Sequence, residues 1–170
     1  MNPSDIAIIK EMRSAIKRDD LERFKALVVE NPSRLNLDTA FGSWLHVAAQ
    51  LGRLEFVRFL VTKGAKLDKR GGSTNATPLD DAASEGHLDV VKFLYSTGAK
   101  LDTSDPVGNP LFGAIYGWHP AVARFLIDCG IDTKVKYVGK GGKVTDALSF
   151  AREWGRTDIA EMIEAANKKR

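Results

Sequence analysis

Apolar positions along this chain fall into a stripe that returns at a fixed interval. Leu88, Val91, Phe93 and Leu94 are spaced as the buried face of a short helix. Leu54, Val57, Phe59 and Leu60 repeat that face 34 residues earlier. Glycines frame both copies, Gly52 and Gly86 before the stripe and Gly64 and Gly98 after it. Residues 45–68 and 79–102 align without a gap, and Gly-Ala-Lys-Leu-Asp stands at the end of each. The spacing recurs at 107–132, where Leu111 and Gly130 lie 32 residues after Leu79 and Gly98. It recurs at 146–166 after a longer connector, with Ala151, Gly155 and Ile163 each 37 residues after Ala114, Trp118 and Leu126. At the start Ala15, Leu21, Phe24 and Leu27 each precede Ala48, Leu54, Val57 and Leu60 by 33. A unit this short cannot bury an apolar face alone, so neighbouring units must stack.

Each unit reads as two short antiparallel helices. Thr77 is the N-cap of one first helix and Pro78 its first residue, where a missing N–H has no helical acceptor to lose. Asp80 falls where a carboxylate closes a capping box. Gly86 stops this helix, because glycine accepts the left-handed conformation of a helix end, and Gly98 stops the second one. Ser43, Asn109 and Asp146 stand in the place of Thr77. Trp118 occupies the place of a helix-ending glycine, so Gly117 is expected to supply the stop one residue early.

Ser-Trp-Leu-His-Val-Ala-Ala-Gln-Leu-Gly at 43–52 and Thr-Pro-Leu-Asp-Asp-Ala-Ala-Ser-Glu-Gly-His-Leu-Asp-Val-Val at 77–91 resemble the ankyrin repeat. The resemblance runs from about 9 to 166 and is weakest at both ends. It implies an all-α solenoid of about five helix-turn-helix units with projecting finger turns and atypical terminal caps. The expected units span 5–37, 38–70, 71–103, 104–135 and 136–167 of a single domain. In this family the first helices and fingers line a concave face. His46 stands at the family's Thr-Pro-Leu-His position, whose imidazole ties neighbouring fingers together.

Composition changes this picture little. The chain has 170 residues, 44% of them hydrophobic, and a net charge of +3. No apolar run approaches the roughly 20 residues of a membrane helix, and the first ten residues lack the organisation of a secretory signal. A single cysteine, Cys129, cannot form an internal disulfide, which fits a reducing compartment. The expectation is a cytoplasmic monomer with no membrane partner.

Candidate chemistry is sparse. His87 and His119 share one register position, and copies of one position lie about 10 Å apart in a stack, too far for shared ligation at about 2 Å. Cys129 has no histidine placed by register to activate it. Asp80 and Asp81 are adjacent, so they do not face each other on a helix. Gly139-Lys140-Gly141-Gly142-Lys143 is similar in outline to a phosphate loop. Val144 follows where serine or threonine is required, and the stretch falls in a connector of an all-helical stack where the pattern calls for a preceding strand. It is expected to be an elongated, flexible finger. No catalytic residue, metal site or cofactor is expected, and the chain is read as a non-enzyme.

Function is then sought in residues that the repeat does not require. The ends of the first helices place Lys17 and Arg18, Gln50 and Leu51, Ser84 and Glu85, Tyr116 and Gly117, and Glu153 and Trp154 on the concave side. Fingers add Phe41 and the segment 135–143 with Tyr137 and Lys140. Trp44 packs between fingers in place of the usual proline, whereas Trp118 stands at the groove edge. The expected partner-binding set is Phe41, Gln50, Leu51, Glu85, Tyr116, Trp118, Tyr137, Lys140, Glu153 and Trp154. Rings dominate its second half, and interface hot spots favour tyrosine and tryptophan.

The partner expected for such a surface is another protein, bound and inhibited in the groove. A narrower expectation is an immunity protein that neutralises a cognate bacterial toxin, suggested by the small array and by Asn109–Ile115. The alternatives are a general adaptor and, less favoured, nucleic-acid binding through the lysine-rich finger. Against the last, 25 basic and 22 acidic residues form no continuous basic stripe, and Glu85 and Glu153 line the same groove.

Overall fold

In the computed structural model, which describes residues 3–139 and 141–169, ten helices follow one another as five pairs. The pairs are α1 (Pro3–Lys17) with α2 (Leu21–Glu30), α3 (Trp44–Gln50) with α4 (Leu54–Thr62), and α5 (Pro78–Ser84) with α6 (Leu88–Ser96). They continue with α7 (Pro110–Tyr116) and α8 (Pro120–Asp128), then α9 (Ala147–Glu153) and α10 (Thr157–Lys169). A 3-10 turn at Pro32–Asn36 and a hairpin of two short strands, β1 (Tyr137–Val138) and β2 (Val144–Thr145), complete the chain. First helices pack on first helices and second on second, from one pair to the next.

Helices of seven residues are too short to persist alone in water, so their ends and their packing must hold them. The caps do so locally. Thr77 Oγ1 accepts from Asp80 N at 3.3 Å, and Asp80 Oδ2 accepts from Thr77 N at 2.8 Å. Asn109 Oδ1 accepts from Leu111 N at 2.9 Å, and Asp146 Oδ1 from Ser149 N at 2.8 Å. At Ser43 the backbone N–H donates to His46 Nδ1 at 3.1 Å. His46 Nε2 therefore carries the proton and donates to Ala76 O of the next finger at 3.1 Å. Burial holds this imidazole below its ordinary pKa, so the neutral tautomer that makes both bonds is favoured.

The core is one continuous apolar body from Met12 to Ile163. Phe24 anchors its first half, edge-on to Trp44 at 5.9 Å and to Phe56 at 5.5 Å between ring centroids. Trp44 is buried, and its Nε1 donates to Arg34 O at 2.8 Å. It thus packs into the core between α2 and the 3-10 turn.

Two expectations are corrected. Gly117 has φ −72° and ends α7 in a right-handed conformation, while Trp118 takes the left-handed one at φ +58°. Gly117 is glycine for a different reason: a β-carbon there would stand 2.5 Å from Ser84 O and from His119 Nε2. The last finger is also a hairpin instead of an open flexible segment. Tyr137 pairs with Thr145 and Val138 with Val144, and Gly139 N donates to Lys143 O at 2.8 Å. Lys140 lies outside the described residues.

Candidate partner-binding face

A stack of helix pairs exposes the carbonyl groups at the end of every first helix, and these need donors. The next unit supplies them. Arg53 Nη2 donates to Lys17 O at 2.8 Å, His87 Nε2 to Gln50 O at 3.0 Å, and His119 Nε2 to Ser84 O at 3.0 Å. Arg156 Nη2 reaches Tyr116 O at 3.4 Å. Lys17, Gln50, Ser84 and Tyr116 are the last residues of α1, α3, α5 and α7. The histidines are thereby occupied as structural cross-links. Among the described residues, no three of His, Cys, Asp or Glu gather to hold a metal ion.

Each of these donors lies against the left-handed residue of the preceding unit. Those four left-handed residues are Asp19, Gly52, Gly86 and Trp118, with φ of 63°, 65°, 81° and 58°. Gly155 of the last unit continues the row at 67°, with no donor over it among the described residues. A β-carbon on Gly52 would stand 2.4 Å from His87 Nδ1, and one on Gly86 would stand 2.4 Å from His119 Nδ1. A rigid imidazole thus demands glycine beneath it. At the last junction both members of the pair change. Arg156 replaces the histidine, and its guanidinium carbon sits 5.0 Å from the Trp118 ring centroid. A long flexible side chain makes room for an indole where an imidazole could not.

The result is a cluster of rings at one end of the groove face. Tyr116 meets Trp154 edge-on at 4.8 Å, and Trp154 meets Phe150 at 5.9 Å. Phe150 stacks on Phe112 at 4.7 Å, and Phe112 meets Tyr137 at 5.1 Å. Tyr116 is 60% exposed, Trp118 58% and Trp154 43%, although aromatic residues are usually buried. Such rings offer large contact area at low entropic cost.

Of the expected contact set, the structure brings Tyr116, Trp118 and Trp154 together at this end, with Tyr137 and Glu153 supporting them. Glu153 holds Lys143 of the hairpin at 2.6 Å. Tyr137 is half-buried, its hydroxyl donating to Thr103 O at 2.7 Å and accepting from Asn109 Nδ2 at 2.9 Å. It positions the hairpin more than it offers a free ring. Gln50 and Glu85 are exposed and Leu51 is half-buried, on the units before the cluster. Phe41 belongs to the other end of the chain, with the Arg13 guanidinium 3.6 Å above its ring.

Sequence reasoning passed over Phe112, Phe150 and Arg156. Phe112 had a signal: it fills the third helical position, which His46, Asp80 and Ser149 use to bond back to the N-cap. An aromatic there cannot close the capping box. Arg156 also had one, since it shares the register of His87 and His119.

Two charged features elsewhere have clear causes. Burial pushes Asp80 up to about 7, and Asp81 likewise to about 7, with the Asp80 charge adding to the effect. Asp102 is held down to about 2 by hydrogen bonds from the Ser104 N–H and hydroxyl, and then by Arg70. Arg70 Nη2 reaches Asp102 Oδ2 at 2.6 Å, joining two successive fingers. Burial raises the Cys129 thiol, which disfavours a reactive thiolate. No described helix is long and apolar enough to cross a membrane.

Comparison with known proteins agrees with this geometry. A family model described as ankyrin repeats, in three copies, matches residues 12–105. A segment of the chain is similar to mouse palmitoyltransferase ZDHHC13, with 46% identity over 63 residues that cover 34% of this chain. The match spans 9% of the mouse protein, so the transferase activity in its name is a statement about that protein alone. With more than half of its length matched and five helix pairs stacked, each later pair bonded to the end of the first helix in the pair before it, the chain belongs to the ankyrin-repeat family of protein-interaction modules.

Proposed function

We propose that the chain binds a folded partner protein, and blocks that partner's activity, through the face where Tyr116, Trp118 and Trp154 emerge. The observation that carries this reading is the exposure of these large rings on a well-packed scaffold. Nothing in the repeat requires them there. Gln50, Leu51 and Glu85 extend the face towards the middle units, and the hairpin beside Glu153 borders it.

The test is comparative capture from the native cell extract. Full-length wild-type chain and a Tyr116→Ala/Trp154→Ala variant are immobilised side by side, with matched circular dichroism as the folding control. A protein held by the wild type and lost by the variant supports the reading. Identical captured sets remove it. Measuring the captured protein's own activity with and without the chain separates an inhibitor from a tethering adaptor.

The narrower form of this proposal makes the partner a cytoplasmic bacterial toxin and this chain its immunity protein. The small size of the array and the sequence character of Asn109–Ile115 and of Gly130-Ile131-Asp132 before the long finger favour it. Expression of the captured protein alone and together with the chain decides it. Growth arrest relieved by the chain supports it, and a harmless partner refutes it.

A further inference from the structure

The four inter-unit donors differ in how their charge is met. Arg53 lies 3.7 Å from the Asp19 carboxylate, which occupies the left-handed position of the preceding unit. His87 and His119 lie over glycine. Arg156 carries a full charge and has Trp118 in the place where Arg53 has a carboxylate. Among the described residues it joins no ion pair, the only hydrogen bond of its guanidinium is the long one to Tyr116 O, and its buried Nε has no partner. Two other cations of its own unit are paired, Lys143 with Glu153 and Arg152 with Glu164.

Trp118 adds a second observation. A left-handed backbone is unfavourable for any residue with a β-carbon, and the equivalent positions in three other units are glycine. The indole held at this cost is solvent-exposed, with the guanidinium against it. Strain kept at an exposed ring is characteristic of a contact site. A guanidinium stacked on an aromatic face also retains its planar fork of N–H donors for a carboxylate.

Resting on the docking face proposed above, we infer that Arg156 and Trp118 form the specificity element of that face. They receive an aspartate or glutamate side chain of the partner, while an adjacent apolar side chain lies against Tyr116 and Trp154. The partner segment is therefore acidic and apolar together. Exposed Lys134 and Lys136 at the foot of the hairpin, which make no ion pair among the described residues, extend the same preference.

The experiment uses a random dodecapeptide display library panned on the immobilised full chain and, in parallel, on Arg156→Gln and Arg156→Lys. Expected is enrichment of Asp or Glu beside Leu, Phe or Trp on the wild type, lost on Arg156→Gln and partly kept on Arg156→Lys. A selected peptide made synthetically should lose about tenfold or more in affinity when its acid is changed to the amide. The same change should have little effect against Arg156→Gln, since the two groups act as a pair. Trp118→Gly should bind more weakly at a thermal midpoint no lower than wild type. Recovery of no peptide, of peptides without acids, or of acidic peptides indifferent to Arg156 overturns the inference. Binding that needs Tyr116 and Trp154 but ignores Arg156 would leave the docking face standing, whereas independence from all of these residues removes both.

Discussion

His119 lies over Gly86, and its Nε2 donates to Ser84 O at 3.0 Å, bonding one helix pair to the end of the pair before it. A methyl group on Gly86 would press on the imidazole and force a β-carbon into the left-handed region, where the backbone costs about 1–2 kcal/mol. The displaced bond adds about 1 kcal/mol. Gly86→Ala is therefore expected to destabilise by about 2–3 kcal/mol in total. Gly155 provides the internal comparison. It has a similar φ of +67° but no atom within 4 Å of an added β-carbon, so Gly155→Ala should cost only the backbone part, about 1–2 kcal/mol, and about 1 kcal/mol less than Gly86→Ala. Urea unfolding of both variants checks this, and equal losses would show that stacking contributes nothing.

Asp80 makes stability depend on pH. Its carboxyl titrates near 3.9 in an unfolded chain and at about 7 in the folded one. Above pH 7 both states carry the charge, and the native state bears the cost of burying it beside an Oδ1 that has no partner. As the pH falls through 7 the native state takes up a proton that the unfolded chain does not. This contribution to stability therefore rises on acidification and is complete below about pH 4. Asp80→Asn should gain about 1–3 kcal/mol near pH 8 and nothing near pH 4. Buried His46 acts in the opposite sense below its ordinary value of 6.5, so the difference between variant and wild type is the quantity to follow. A pH-independent difference in urea midpoint would contradict the assignment.

The helix starts and most helix stops were legible because local rules decide them. Ser43, Thr77, Asn109 and Asp146 cap their helices within three residues of themselves. Trp44 was readable as packing, and the structure buries it against Phe24 and the Arg34 carbonyl. Trp118 was misread for an instructive reason. The propensity rule assigns the left-handed stop to a neighbouring glycine, yet Ser84 O and His119 crowd Gly117 and fix where the turn falls. The hairpin escaped because strands of two residues carry no period, and its glycines suggested coil. The ring cluster joins Phe112, Tyr137, Phe150 and Trp154 across two units, a proximity that register alone does not reveal.

Tyr137 tests whether the hairpin is held by this cluster. Its hydroxyl bridges Thr103 O and Asn109 Nδ2, and its ring meets Phe112. Tyr137→Phe keeps the ring and leaves two polar groups without a partner, at an expected loss of about 1–2 kcal/mol. Amide exchange of Gly139, whose N–H closes the hairpin onto Lys143 O, should accelerate more than that of the first helices. Unchanged protection there would mean that the strands stand on their own pairing.

Tyr116 and Trp154 make the sharpest claim about where a partner docks. Their rings touch at 4.8 Å, so truncating one removes contact area and also the support of the other. Neither is in the fully buried core, so the fold should tolerate the loss with a small change in thermal midpoint. Binding should not tolerate it: Tyr116→Ala and Trp154→Ala are each expected to cost about 2 kcal/mol or more. Because the rings share one contact, the double variant should lose less than the sum of the two. Gln50→Ala and Glu85→Ala, on the polar units of the same face, should each cost less than about 1 kcal/mol. Titration calorimetry with the captured partner distinguishes these patterns. Equal losses along the whole face would spread the binding energy over the array and take the hot spot away from its last two units.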